Sequence, residues 1–447
     1  LCRFCPPRRS RDPLTSPTLN PTREAGLLSL IHPLIRDMVM KQTSLWIIFL
    51  GLLAMRTPAA DSRVEGLLPT LYLTLEQPIS PYQKVPCRLR WELTEKQTAG
   101  KTGEITGQIK YHGASSQGYP KKSLALTLDE PASWLGLRSS AHWVLNAAFV
   151  DRSLMRHKLS YDLFRSLSVS NAPRYASGSR FIELHYNGKY HGAYLLMERV
   201  DRALLGLQRF DSNAVHHACI YKAVDHAAGF DHLGHGGFEQ REPDPLTGDY
   251  WGPLDRFNRF VSSTKDADFF DPEKGIATRL DLGNTIDFHL LLLLTSNMDG
   301  FDKNLLLARD APGTNGPLPK FFFVPWDYDA TFGRNWEASR VGTDAWLSNH
   351  LFERLLNSAD YRARFASRWK QLRLGPFSLA TIHGLIDENA RVIGEAAQRN
   401  AARWRSAQGN YPDELTFEGD LVQMKRWVKQ RLEWLDEQIG QRTRVPQ

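Results

Sequence analysis

Hydrophobic and polar positions alternate with a period of two over Leu67 to Leu75, Thr106 to Tyr111 and Ser123 to Leu128, which predicts half-buried strands. Turn residues separate them, among them the run Gly113-Ala114-Ser115-Ser116-Gln117-Gly118. The period then lengthens. Leu154, Met155, Leu159, Leu163 and Phe164 recur at three- and four-residue intervals behind Asp151, a residue suited to capping, so a helix is predicted there. Arg180 to Tyr186 and Ala193 to Met197 flank Asn187-Gly188, the strongest short signal for an antiparallel hairpin.

The middle third is polar and loop-rich. Ile286 to Leu294 is apolar nearly all round, the pattern of a helix buried in a core. It feeds the polar loop Asn297-Met298-Asp299-Gly300-Phe301-Asp302-Lys303-Asn304. Leu305 to Ala308 follows as a strand, Pro312 to Gly316 as its turn, and Lys320 to Val324 as the partner strand, leading into Pro325-Trp326-Asp327-Tyr328-Asp329. The last third reads as helices over Leu351 to Leu372, Ala380 to Arg403 and Leu421 to Gln438, with Trp369, Trp404, Trp427 and Trp434 as packing residues.

The chain has 447 residues, 42% hydrophobic and 11% aromatic, which is globular composition and excludes a disordered or collagenous chain. Its length suits about three average domains, yet there is no solenoid-period repeat or low-complexity linker, so the body reads as one unit of at most two lobes. The net charge is +7, but residues 1–60 carry 8 of the basic and 3 of the acidic residues, which leaves the remainder at +2. Nucleic acid is therefore not an expected partner, since phosphate neutralisation needs clustered Lys and Arg.

Residues 1–37 are rich in Pro, Ser, Thr and Arg without periodicity, as in a reading frame extended upstream of its start at Met38 or Met40. Lys41, the apolar run from Leu45 to Met55 and Thr57-Pro58-Ala59-Ala60 then follow the order of a secretory signal peptide, so residues 38–60 are read as one. Eleven apolar residues are fewer than the roughly 20 needed to span a bilayer. An uncleaved anchor is the alternative. The mature protein, from about Asp61, is expected to be exported, in the periplasm, at the cell surface or secreted, without a stable membrane span. Cys87 and Cys219 are either a disulfide or two buried thiols. His216, His217, His226, His232 and His235 match no compact ligand spacing, and no CxxC or HExxH string lies in the body.

The chemistry concentrates between Ile286 and Gly333. Phosphoryl transfer needs a carboxylate to orient and deprotonate an attacking hydroxyl, and oxygen ligands for Mg²⁺ beside the nucleotide phosphates. Asp299 and Asn304 stand in D-x-x-x-x-N spacing, and Asp327 follows the hairpin, where a metal-binding Asp is expected. The two acidic turns are expected to meet at one end of that hairpin.

Several separated strings in order resemble the spore coat protein H (CotH) kinase family, secreted or spore-associated proteins with an atypical kinase-like fold. They are Gly113 to Ser116 with Pro120 to Ser123, Asp151 to Arg156, Asn187 to Glu198, Ile220-Tyr221-Lys222, Asn297 to Asn304, and Pro325 to Gly333. The resemblance implies an α+β fold of two lobes, a strand-rich N-lobe over residues 61–201 and a mainly helical C-lobe over 202–447. It implies ATP with Mg²⁺ or Mn²⁺ as cofactors, Asp299 as the catalytic carboxylate, and Asn304 and Asp327 as metal ligands with Asp329 assisting. Gly113, Ser115 and Ser116 would lie over the phosphates, and Lys121, Lys122 or Lys222 would neutralise them. Lys122 is favoured because Lys121 points the opposite way in a strand. Glu198 falls where a kinase hinge meets adenine. His112 stands where the family often has Arg, and H-R-D, D-F-G and G-x-G-x-x-G strings are absent.

The reading is an exported Ser/Thr protein kinase acting on secreted, coat or surface proteins. Its rivals are a non-catalytic coat-assembly protein and another metal-dependent phosphotransferase, such as an AMPylase. The protein substrate and the oligomeric state are not legible in the sequence.

Overall fold

The computed structural model describes residues 68–93, 103–313, 316–404 and 416–443. In it the alternating first third closes on itself. Strands β1 (Thr70–Thr74), β2 (Val85–Glu92), β3 (Ile105–Tyr111), β4 (Leu124–Ser133), β5 (Ser139–Asn146), β6 (Ser179–Tyr186) and β7 (Lys189–Glu198) form a closed barrel in the order β1-β2-β3-β4-β5-β7-β6. Only the β1–β6 seam is parallel. Alternation sets the inside: in β2 Val85, Cys87, Leu89 and Trp91 point inward and their neighbours outward. Trp134 stacks on Trp143 at 5.1 Å and meets Trp91 edge-on at 5.3 Å, filling the interior with aromatic surface. The predicted hairpin is β6–β7; Asn187 and Gly188 have φ of 46° and 76°, both left-handed as a tight two-residue turn requires.

Helix α1 (Arg156–Ser166) leaves the barrel and packs on α4 (Leu282–Thr295), which is buried from Asn284 to its end, as its unbroken apolar run predicts. Between them lie β8 (Cys219–Ala223), β9 (Phe238–Glu242), α2 (Gly252–Ser263) and α3 (Asp266–Phe269). With β10 (Leu305–Arg309) and β11 (Phe322–Pro325), β8 and β9 make a second, antiparallel sheet ordered β11-β10-β8-β9. The predicted hairpin after α4 is therefore half of a larger sheet, and the part beyond residue 201 is less purely helical than expected. The middle third is not loop alone: Ile220 and Tyr221 are core residues of β8.

Helices α5 (His350–Leu356), α6 (Ala359–Arg373), α7 (Leu379–Trp404) and α8 (Phe417–Arg442) complete the chain. The run expected as one helix over Leu351 to Leu372 breaks before Ser358, whose hydroxyl caps α6 by accepting the Tyr361 N–H. Helix α7 lies against the barrel: Arg399 forks onto Glu183 with two 2.9 Å bonds, and Trp404 donates to the His191 carbonyl at 2.9 Å. The fold is thus α+β, a strand barrel followed by a second sheet interleaved with helices and a helical end, and the described residues belong to one compact unit. No helix among them is long and apolar enough to cross a membrane. Cys87 and Cys219 are free, buried thiols. Residues 1–37 and the segment 38–60, expected to be a signal peptide, lie outside the described residues.

Candidate active site

The left-handed Ser296 ends α4 and turns the chain into the acidic loop. The Asp299 carbonyl accepts the Lys303 and Asn304 N–H groups, each at 2.9 Å, closing the loop just before β10. Asn304 then sits beside the end of β11, because the Trp326 N–H donates to its carbonyl at 3.3 Å. Both Asn297 and Asn304 donate their side-chain amides to one atom, the Asp327 carbonyl oxygen, at 3.0 and 3.2 Å. The two acidic turns therefore meet at the end of the hairpin, as expected.

The other side of the turn is held by α1. Tyr161 accepts the Asp327 N–H at 3.0 Å, and His157 Nδ1 accepts the Tyr328 N–H at 3.1 Å. These residues stand four apart on one helix face. With its backbone pinned from both sides, Asp327 keeps a left-handed φ of 59°, and its carboxylate is half exposed. Such support preorganises a ligand side chain.

Nδ1 of His157 is occupied as an acceptor, and its Nε2 lies 3.3 Å from the Asn146 amide nitrogen and 3.7 Å from Asp327 Oδ1. Burial holds this imidazole below its ordinary pKa against the pull of Asp327 and Asp151. Ligand atoms of His157, Asp327 and Asp329 lie within 4.8 Å of one another. At 3.7 Å, His157 Nε2 stands beyond hydrogen-bond distance of the Asp327 carboxylate. Burial, then the charges of Asp327 and Asp151, push the Asp329 acid well above the carboxylate range. Two carboxylates that resist joint ionisation, with an amide oxygen on Asn304, are the hard donors that suit Mg²⁺ or Mn²⁺.

Asp299 is mostly covered, 20% exposed, with Lys303 Nζ 3.8 Å from its carboxylate. The run Gly113 to Gly118 is a loop with one short 3₁₀ turn, where Gly113 and Ser115 are exposed and Ser116 half-buried. Tyr119, at its end, donates to the Trp336 carbonyl at 3.2 Å, and its phenol is raised by burial and by Asp329 and Asp327. The loop thus lies beside the acidic turn.

The lysines separate. Lys121 is buried, its ammonium donating to the Ala147 carbonyl at 2.7 Å and to that of Ala193. Lys122 lies, like Lys121, before β4 rather than in a strand as expected, and it donates to the carbonyls of Gln117 and Tyr119, tying the loop. Lys222 is the cation that faces the turn: its ammonium lies 4.9 Å from the Trp326 ring centre and in the field of Asp327. The preference among the three therefore moves from Lys122 to Lys222. Glu198 is committed to the fold. Its carboxylate accepts the N–H groups of Arg138 and Gly178, its own N–H donates to Gly178 and its carbonyl accepts the Ser177 hydroxyl.

Beneath the site, Arg156 is fully buried, donating to Asp151, to Asp420 at 2.7 Å and to the Thr331 carbonyl at 2.9 Å, while Arg334 reaches Asp420 at 3.1 Å. This ties the Asp151 to Arg156 segment, the stretch after Asp329 and α8 together. His226, His232 and His235 each face a different carboxylate, Asp302, Asp231 and Asp255, and form no ligand cluster.

His157, Tyr161 and Asn297 were not singled out as site residues in the sequence, although the four-residue spacing of a His and a Tyr on α1 marks a shared polar face. Inner spore coat protein H of Bacillus subtilis (strain 168) is 28% identical over 274 residues, 58% of this chain and 68% of that protein. The family described as CotH kinase protein matches residues 109–435. That match covers well over half of the chain, from the end of β3 into α8, and the protein belongs to the CotH kinase protein family.

Proposed function

We propose that the protein is an atypical two-lobed kinase, with the barrel as N-lobe and the part beyond residue 201 as C-lobe, that transfers a phosphoryl group from ATP to Ser or Thr of exported coat or surface proteins. The observation that supports it most is the convergence of Asn297 and Asn304 on the Asp327 carbonyl, which joins the Asp299 loop to the Asp327 turn.

Asp299 is positioned to take the proton of the acceptor hydroxyl as its oxygen bonds to phosphorus and the bond to the leaving diphosphate breaks. Asn304 has its amide N–H₂ engaged, which leaves its carbonyl oxygen, with the carboxylates of Asp327 and Asp329, as the donor set for Mg²⁺ or Mn²⁺. When bound, the cation would neutralise phosphate charge and orient the transferred group. Lys222 supplies a fixed positive charge to the same phosphates, and the loop from Gly113 to Gly118 covers them with backbone N–H groups.

The test is transfer of labelled phosphate to a Ser-rich acceptor by the full chain with ATP and Mn²⁺, beside Asp299→Ala. Full transfer by that variant refutes the assignment. A second reading, a non-catalytic coat-assembly protein, is favoured by the coat-protein name of the Bacillus relative. It predicts no thermal shift with Mg-ATP.

A further inference from the structure

Two independent observations bear on how a nucleotide would be recognised. The first concerns the base. A kinase hinge reads adenine with free main-chain donors and acceptors, but the Glu198 N–H donates to the Gly178 carbonyl at 2.9 Å, the Glu198 carbonyl accepts the Ser177 hydroxyl, and the Arg199 carbonyl accepts Arg138 at 3.0 Å. These polar groups are used up within the fold, and a base that meets them finds no partner to select it.

The second concerns charge. Lys222 of β8 and Arg241 of β9 come from neighbouring strands of the second sheet, with Glu239 opposite Lys222 and bridged to Arg241 at 2.8 Å. The Trp326 ring steadies the Lys222 ammonium. From the barrel, Arg199 follows β7, and Lys84, just before β2, stands beside Lys110 of β3. Arg199 links the two groups, acting on Lys84, Arg241 and the His112 ring. Burial and these cations hold that imidazole down to about 4. Positive charge from two elements thus gathers around the His112 ring, which Asp327 also faces. Like charges held together repel, and a chain of phosphates relieves that repulsion.

We propose that this cationic cluster selects a nucleoside triphosphate by its phosphate chain, through Lys222, Arg241 and Arg199, and discriminates little between bases. This rests on the kinase reading for the identity of the anion and for the hinge position of Glu198, while the cationic cluster stands apart from it.

The test is calorimetric titration of the full chain in Mn²⁺ with ATP, GTP, inorganic tripolyphosphate and adenosine, followed by the same titrations of Arg199→Gln/Arg241→Gln. ATP and GTP are expected to bind within about threefold of each other, tripolyphosphate to compete with ATP, and adenosine not to compete. The double variant should weaken all three phosphate ligands alike by about tenfold or more, the size of a lost charged hydrogen bond, with unchanged thermal unfolding. Arg199→Lys/Arg241→Lys should restore part of that affinity. The proposal is overturned by an ATP preference over GTP of about a hundredfold or more, by competition from adenosine, or by a double variant that binds like the wild type. Absence of binding to both nucleotide and tripolyphosphate overturns it as well. Phosphate-chain binding without transfer to any acceptor would sink the kinase reading and leave this inference standing.

Discussion

The Asn304 amide donates to the carbonyl oxygen of Asp327, 23 residues further along, at 3.2 Å. One side chain thereby fixes the turn that carries the second carboxylate while offering its own oxygen beside it. Asn304→Ala removes both roles. Phosphoryl transfer is expected to fall by about 10² or more, the scale of a lost preorganised polar contact, while stability falls by only about 1 kcal/mol. Transfer kinetics and thermal unfolding of the same preparation check it; a loss of stability that tracks the loss of activity contradicts it.

From the α1 side, Tyr161→Phe takes away the acceptor of the Asp327 N–H and leaves a part-buried donor unpaired. The expected cost is about 1–3 kcal/mol, together with a lower kcat at little changed acceptor KM, because the Asp327 carboxylate is freed to wander. Hydrogen exchange at Asp327 reports the loss directly: the amide should become less protected in the variant.

Much of this arrangement was legible because it is local. The unbroken apolar run from Ile286 to Leu294 can be satisfied only by burial, and Asn187-Gly188 allows only a tight turn, so α4 and the β6–β7 hairpin follow from short windows. The meeting of the Asp299 and Asp327 turns was also readable, since an antiparallel pair such as β10 and β11 returns the chain to its starting end. The bonds from His157 and Tyr161 to the turn span 171 and 166 residues, and no periodicity encodes that distance. The lysines show the same limit. Lys121 and Lys122 stand before β4, outside any strand alternation, and how the Gln117 to Tyr119 loop curls decides that Lys122 is used on carbonyls while Lys222 faces Asp327.

The Asp329 acid is raised by burial and by the neighbouring Asp327 and Asp151, so its pKa is higher folded than unfolded. As pH rises from the ordinary carboxylate range of about 4, the unfolded chain releases this proton first. Stability from this group should therefore decline until pH passes the folded pKa. Asp329→Asn should abolish that decline and raise stability at neutral pH, and millimolar Mn²⁺ should do the same for the wild type. Unfolding midpoints from pH 4 to 8 for both proteins, with and without the ion, test it. A wild-type profile unaffected by Mn²⁺ would count against the metal assignment.

Asp420 gives the opposite sign. Burial alone would raise its acid, but Arg156 and Arg334 hold it below the ordinary value. Its contribution is thus present above the unfolded pKa of about 4 and is lost as pH falls through the lower folded value. Asp420→Asn leaves Arg156, wholly buried, with Asp151 as its remaining carboxylate, and removes the negative charge 3.1 Å from Arg334. Breaking a buried pair from one side costs about 3–5 kcal/mol. Since the Thr331 carbonyl and Arg334 hang on this network, the segment just past Asp329 should loosen before the barrel does. Hydrogen exchange should show lost protection at Phe332 and Arg334 with the β4–β5 amides unchanged. Uniform loss across both regions would mean that the network stabilises the whole fold rather than the floor of the site.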